Sequence, residues 1–340
     1  MSKNSVEKPY HVANAGRSLS LRFLLLFPVF AFCVLYSIGV ANAAEKLVVA
    51  TSKSGWLIWI AQERGLFEDY GADVAVELVE SGVEAGKGLI DGRYDIATMS
   101  EFAFVSRSFS NVDLRIFGTA AAIYNVRLVG RLGSGLASFS DLPGKKIGLR
   151  TGAIGEFFLG KTLDLHGTSL EAVQIEDIPA TDLPNAVADG KVDAIVSWEP
   201  YATEAQGLLG DDAMFADLQS EQPYYFTLSA SQKTLIENQE TIERFLQALI
   251  DAAEWAQRNE TEAMKLLGRV LNLNLDDLER FWSGHVMEVA ITQDLLFLME
   301  QEARWRVERG LSAGGIPNYL ERLETGPLER VAPHHVGVIQ

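Results

Sequence analysis

The sequence is poor in cysteine, histidine and basic charge, and each shortage closes off a class of function. Its one cysteine, Cys33, falls in an apolar N-terminal run, so the remainder offers no disulfide, no thiolate nucleophile and no cysteine-ligated metal. Beyond that run the histidines are His166, His285, His334 and His335, none of them where a strand gives way to a loop. H-E-x-x-H does not occur, and the one G-x-S-x-G, Gly310–Gly314, follows the helical run Gln293–Val307 rather than a strand, so a hydrolase or metalloenzyme would have to be built from nothing visible. His334 and His335 are neighbours in an extended tail, where adjacent side chains point apart, and do not make a metal pair. Lys and Arg number 29 against 46 Asp and Glu, a net charge of −17. Binding nucleic acid requires clustered cations to neutralise phosphates, and there is no such cluster.

The N-terminus reads as a targeting segment. Lys8, Arg17 and Arg22 precede the apolar stretch Phe23–Val40, and Ala41-Asn42-Ala43 is a small-residue cleavage pattern. The rival reading is a membrane anchor, which Pro28 and the cleavage pattern oppose. Phe32, before Cys33, is too large for a lipoprotein cleavage site. The expectation is a signal peptide over 1–43, cut near Ala43, and residence in the periplasm. The remainder carries 25 Lys and Arg against 45 Asp and Glu.

The remaining chain is organised around Asp182–Tyr201, an apolar-spaced helix, an Asp-Gly turn and an apolar strand stopped by Trp198-Glu199-Pro200. The pattern occurs once before. LIDGRYDIATMSE at Leu89–Glu101 matches VADGKVDAIVSWE at Val187–Glu199 with an offset of 98, and Lys46–Thr51 echoes Lys146–Thr151 with an offset of 100. Two copies make two similar α/β lobes rather than a solenoid. Strands alternate with helices in each, which predicts mostly parallel sheets. Lobe one is expected over 44–127 and, after lobe two at 128–223, again over 224–325 with C-terminal helices. The tail 326–340 shows no periodicity. Asn125–Arg131 and Tyr224–Leu228 read as the crossovers. In Thr241–Ala253, apolar residues recur at helical spacing from Ile242 to Ile250.

In open α/β sheets ligands sit beyond the carboxyl ends of strands. Two turns there precede helices, Ser52-Lys53-Ser54-Gly55 and Thr151-Gly152-Ala153-Ile154, and free N–H groups at helix starts favour an anion. Neither phosphate-loop glycine pattern is present at the second turn, and no cofactor is expected. Glu101 and Glu199 stand at matched strand ends, as helix caps first and as ligand contacts or acid–base groups second. Asp95 and Asp193, inside apolar strands, should hold the Asp-Gly turns. Trp56, Tyr124, Trp198 and Tyr201 are the aromatic groups near the expected mouth, with Trp198 the best placed to line it. Core packing is the commoner fate of such residues.

Several segments together resemble one family. They are Trp59–Phe67 with Gly71–Val74, Gly88–Ser100, Asp141–Gly148 followed by Thr151-Gly152, Gly190–Ala194, and Trp198–Tyr201. In this order and spacing they resemble the solute-binding components of ABC importers in the nitrate/sulfonate/taurine and thiamine-precursor-binding group, over most of the chain to about residue 230. The cysteine-rich motifs of thiamine-precursor-type sequences are missing, and the lobe-two loop shows no clear arginine as a counter-ion. The resemblance implies the type II periplasmic binding protein fold, two α/β lobes joined by two crossover strands that close by hinge motion. It implies a monomer that performs no chemistry, takes a small organic anion such as a sulfonate, taurine or nitrate, and passes it to an inner-membrane ABC permease. The alternatives are an aromatic or heterocyclic ligand, or an enzyme or sensor on the same scaffold. The ligand contacts it implies are Ser52, Lys53, Ser54, Trp56 and Ser100 from lobe one and Gly152, Ala153 and Ile154 from lobe two. Thr151, Glu101, Glu199, Tyr124 and Trp198 complete the candidate set.

Overall fold

The computed structural model describes residues 46–339; the targeting segment read at 1–43 lies outside them. The chain begins with strand β1 (Leu47–Thr51), helices α1 (Trp56–Glu63) and α2 (Leu66–Asp69), β2 (Val74–Leu78), α3 (Gly82–Ile90), β3 (Ile96–Ser100), α4 (Glu101–Ser108) and β4 (Leu114–Ile123). After a short connection come β5 (Arg127–Arg131), β6 (Lys146–Leu149), α5 (Ile154–Leu165), β7 (Gln174–Asp177), α6 (Leu183–Ala188), β8 (Ala194–Ser197), α7 (Tyr201–Leu209) and β9 (Ala213–Asp217). The chain then returns through β10 (Tyr224–Ser231) to α8 (Gln232–Glu237), α9 (Gln239–Arg258), α10 (Glu260–Leu271) and α11 (Leu275–Trp282). It ends with β11 (His285–Met287), β12 (Ile291–Thr292), α12 (Gln293–Glu308), α13 (Gly326–Val331) and β13 (Val336–Gly337).

Lobe one is the six-stranded sheet β11-β4-β10-β3-β1-β2, and lobe two the five-stranded sheet β7-β6-β8-β5-β9. The parallel part of each is its three-strand core, β2-β1-β3 and β7-β6-β8. Strands that carry the chain between lobes arrive antiparallel. β10 lies between β3 and β4, β5 lies between β8 and β9, and β11 pairs antiparallel with β4. Both sheets are therefore mixed and not mostly parallel as the alternation of strands and helices predicts: the strands flanking the crossovers add antiparallel pairs to each parallel core. Tyr224 starts β10, which pairs with β3 and β4 in the six-stranded sheet.

The internal repeat is exact to the hydrogen bond. Asp95 Oδ2 accepts the Val48 N–H at 2.8 Å, and Asp193 Oδ2 accepts the Lys146 N–H at 2.9 Å. Val49 lies beside Ile96, and Ile147 beside Ala194. Every one of these pairs keeps the 98-residue offset, so the 100-residue echo of the first strand is out of register by two. The aspartates also differ from expectation. They tie the start of the neighbouring parallel strand, where its backbone donor would otherwise be unpaired, while Gly92 (φ 71°) and Gly190 (φ 73°) hold the turns.

Helix α9 buries Ile242, Phe245, Leu246 and Leu249 as its spacing requires; Ile250 is only half-buried. The tail is ordered, contrary to its lack of periodicity. Pro327 opens α13, where a missing N–H costs nothing, Leu328 is fully buried, and β13 pairs with β12. A tight turn brings the His334 and His335 rings to 4.5 Å rather than pointing them apart, and His335 Nδ1 lies 2.6 Å from the Val289 carbonyl oxygen. Among the described residues no group of three or more His, Cys, Asp or Glu could hold a metal, and no helix is long and apolar enough to cross a membrane.

Candidate ligand cleft

Between the strand ends of the two lobes lies a cavity of about 20 Å3, little more than the space one water needs. Lobe one contributes Ser52 and Ser54 after β1, Gly82 and Val83 at the start of α3, and Ser100 and Ala103 where β3 becomes α4. Lobe two contributes Ala153 and Ile154 at the start of α5 and Trp198 after β8. Tyr224 and Phe226 of the returning strand form the remaining wall. The lobes are closed on it. Arg150 of lobe two meets Glu84 of lobe one at 2.7 Å, and the Ala180 N–H donates to Glu80 Oε1 at 2.6 Å.

The hydroxyls are placed by local structure. Ser100 caps α4, its Oγ accepting the Ala103 N–H at 3.2 Å, which leaves its own proton free to face the cavity. The Ser52 loop is anchored by the Trp59 indole N–H, which donates to the Ser52 carbonyl at 3.0 Å. At the start of α5 most donors are already used. Thr151 N–H donates to Asp177, Gly152 N–H to Glu156 and Ala153 N–H to the Arg150 carbonyl, at 2.9, 3.1 and 3.2 Å. The Ile154 and Gly155 N–H groups, next in the turn, have no backbone acceptor among the described residues.

Six residues singled out from sequence meet here: Ser52, Ser54, Ser100, Ala153, Ile154 and Trp198. The others lie elsewhere. Thr151 and Gly152 line a separate pocket of about 330 Å3 with Glu84, Arg107 and Arg150, and Lys53 lines one of about 670 Å3 with Glu204 and Asp277. Trp56 is core: its ring stacks on His285 at 3.9 Å and on Trp282 at 5.1 Å. Tyr124 faces a groove beside the crossovers. Tyr201 packs edge-on against Trp198 at 6.1 Å. Arg150, at the end of β6, is an arginine beside the lobe-two loop, but Glu84 and Asp177 already hold it.

The two matched glutamates behave differently. Glu199 is a cap, its Oε2 accepting the Thr203 N–H of α7 at 3.0 Å, and burial raises its pKa. Glu101 is not, because Ser100 does that work. Its fully buried carboxylate accepts the Tyr225 N–H at 3.0 Å, and its other oxygen has no hydrogen-bond partner among the described residues. Burial pushes its pKa up to about 8. Neighbouring Glu302 on α12, also fully buried, is raised by burial and by Glu101. Arg306 on α12 reaches Glu156 of α5 at 3.6 Å, and Trp305 packs on Phe102 and Phe157 at 5.9 and 5.4 Å. Helix α12 therefore joins the helices that open from both halves of the cavity.

Sequence reasoning missed Gly82, Val83, Ala103, Tyr224 and Phe226. The Ser81-Gly82 step after the second strand was a legible signal for the first two, since Ser81 caps α3. A Cβ on Gly82 would come within 2.7 Å of the Met99 backbone, so the close approach itself demands glycine.

The profile of the NMT1/THI5-like family matches residues 56–263, more than half the chain. The chain belongs to the NMT1/THI5-like family. A candidate binding protein of Brucella abortus (strain 2308) is 23% identical over 223 residues, covering 65% of this chain and 69% of that one. Among solved structures, the alkanesulfonate-binding protein SsuA from Xanthomonas axonopodis pv. citri, bound to MOPS, superposes with a TM-score of 0.73 at 17% identity, covering 82% of this chain and 98% of that one. The desulfurization enzyme DSZB superposes with a TM-score of 0.65 at 17% identity, covering 85% of this chain and 99% of that one. The fold is thus that of the two-lobe type II periplasmic binding proteins, as this NMT1/THI5-like chain's motifs imply.

Proposed function

We propose that the protein is the periplasmic solute-binding subunit of an ABC importer, monomeric, capturing a small organic sulfonate between its lobes and passing it to a membrane permease without chemical change. The observation that carries this reading is the cavity itself. Ser52, Ser54 and Ser100 line it together with Ala153 and Ile154 at the start of α5, with no charged side chain among the lining residues. Serine hydroxyls and a helix start suit a tetrahedral oxyanion without a counter-ion. Taurine fits less well than an alkyl- or arylsulfonate, because Glu101 and Glu199 are absent from the lining and its ammonium group would find no carboxylate. Resemblance to a sulfonate-binding structure supports the same class. The closed lobes imply that they part to admit a ligand.

A second reading has a specific observation behind it. Trp198, Tyr224 and Phe226 make the wall aromatic, which favours an aryl group, as sulfonate substituent or as aromatic or heterocyclic carboxylate or pyrimidine. A thermal-shift screen with taurine, alkane- and arylsulfonates, nitrate, bicarbonate, aromatic carboxylates, pyrimidines and flavins separates these. A ligand at a hundred times its Kd adds about 2.7 kcal/mol. A sulfonate hit recovered unchanged supports the proposal. A desulfonated product would make the protein an enzyme, a role that the DSZB fold shows this scaffold can host.

A further inference from the structure

Beside the crossovers a second concavity shares no lining residue with the interlobe cavity. It is a groove of about 780 Å3, within the range of small-molecule sites. Its walls are Tyr124, just after β4, Tyr225 at the start of β10, and Phe297 on α12. Phe297 is 60% exposed, a large ring left facing solvent.

The polar groups of the groove have one sign unanswered. Glu221 and Asp294 are exposed on its rim, and neither has an ion pair or a side-chain hydrogen bond among the described residues. Asp294 lies in the first turn of α12, where the helix dipole favours it; Glu221 has no such account. Arg304, the cation of the lining, is turned to Glu300 at 3.6 Å. Ring faces are electron-rich and attract organic cations, and an unpaired carboxylate adds a charge-assisted hydrogen bond to an ammonium N–H. An aromatic anion would be repelled by both carboxylates. An aliphatic amine would leave the rings unused.

We propose that this groove between the crossover strands and α12 is a second binding site, for a small arylalkylamine, with the ring against Tyr124, Tyr225 and Phe297 and the ammonium group between Glu221 and Asp294. An occupant touches both segments that connect the lobes, and Tyr225 is also the residue whose N–H meets Glu101. The site is therefore built on the hinge.

The test is calorimetric titration of the protein with phenethylamine at low ionic strength, beside the uncharged 2-phenylethanol. Binding of the amine, at least tenfold weaker for the alcohol, for the Glu221→Gln/Asp294→Asn double variant and for Phe297→Ala, is the expected result. All three side chains sit on the surface, so the variants should fold, and their melting curves check this. No binding of the amine, equal binding of the alcohol, or unchanged affinity in the groove variants overturns the proposal. Loss in Trp198→Ala with the groove variants unaffected would place the amine in the interlobe cavity and overturn it equally.

Discussion

Glu101→Gln should remove a pH dependence that the wild-type protein carries between about pH 4.5 and 8. The folded carboxyl holds its proton up to about pH 8, because burial disfavours the charge; its ordinary value is 4.5. Between those values the folded state binds a proton that the unfolded chain has lost, so stability falls as pH rises through this window and is flat above it. Each tenfold step in proton affinity is worth about 1.4 kcal/mol, so a ceiling of about 5 kcal/mol is lost across the window. Glutamine keeps an oxygen for the Tyr225 N–H and carries no charge. The assay is denaturant unfolding of both proteins at pH 5, 6, 7 and 8. The variant should lose clearly less stability than wild type over that range and be the more stable of the two at pH 8. Parallel profiles would refute the reasoning, because they would mean that Glu101 is solvated or paired in the folded protein.

Gly82→Ala should destabilise by about 1–3 kcal/mol, as overpacking does, since its Cβ would press on the Met99 backbone; thermal unfolding measures it. Asp193→Ala should cost about 1–3 kcal/mol by leaving the Lys146 N–H without its acceptor, and Asp95→Ala a similar amount at the matching bond in lobe one, read by denaturant midpoints. Trp198→Phe should abolish most of any ligand-induced change in tryptophan fluorescence, because Trp198 lines the cavity while Trp56 is stacked in the core; a full signal in the variant would remove Trp198 from the site.

The repeat made the fold legible. Asp-Gly turns and apolar strands at a constant offset announce two similar lobes, and the strand ends point to Ser52, Ile154 and Trp198, which line the cavity, while Ser100 follows only from the family resemblance. The register of the first strand could not be read that way. The Asp95 and Asp193 hydrogen bonds and the matching strand pairs, which join residues far apart in the chain, reveal it. Glu101 and Glu199 occupy equivalent positions, each beside an inserted antiparallel strand, yet take different partners: Glu101 accepts the Tyr225 N–H of β10, and Glu199 accepts the Thr203 N–H of its own following helix. Long-range insertion explains why Tyr224 and Phe226 went unseen, as they read merely as a strand. Trp56 sits beside a strand end as a cleft residue should, yet Trp282 and His285, far along the chain, cover it. The Gly152 N–H, expected to be free for a ligand, is already taken by Glu156, one helical turn on.

The most direct test of the account is calorimetric titration of benzenesulfonate into wild type and Ala153→Asp. Ala153 is the N-cap of α5 and lines the cavity, and Asp is a favoured N-cap, so the fold should stand while its carboxylate fills the place proposed for the sulfonate. The account predicts binding to wild type, a loss of at least a hundredfold in the variant, and unimpaired melting. Equal affinity in both proteins would contradict it, and so would a wild type that binds no sulfonate.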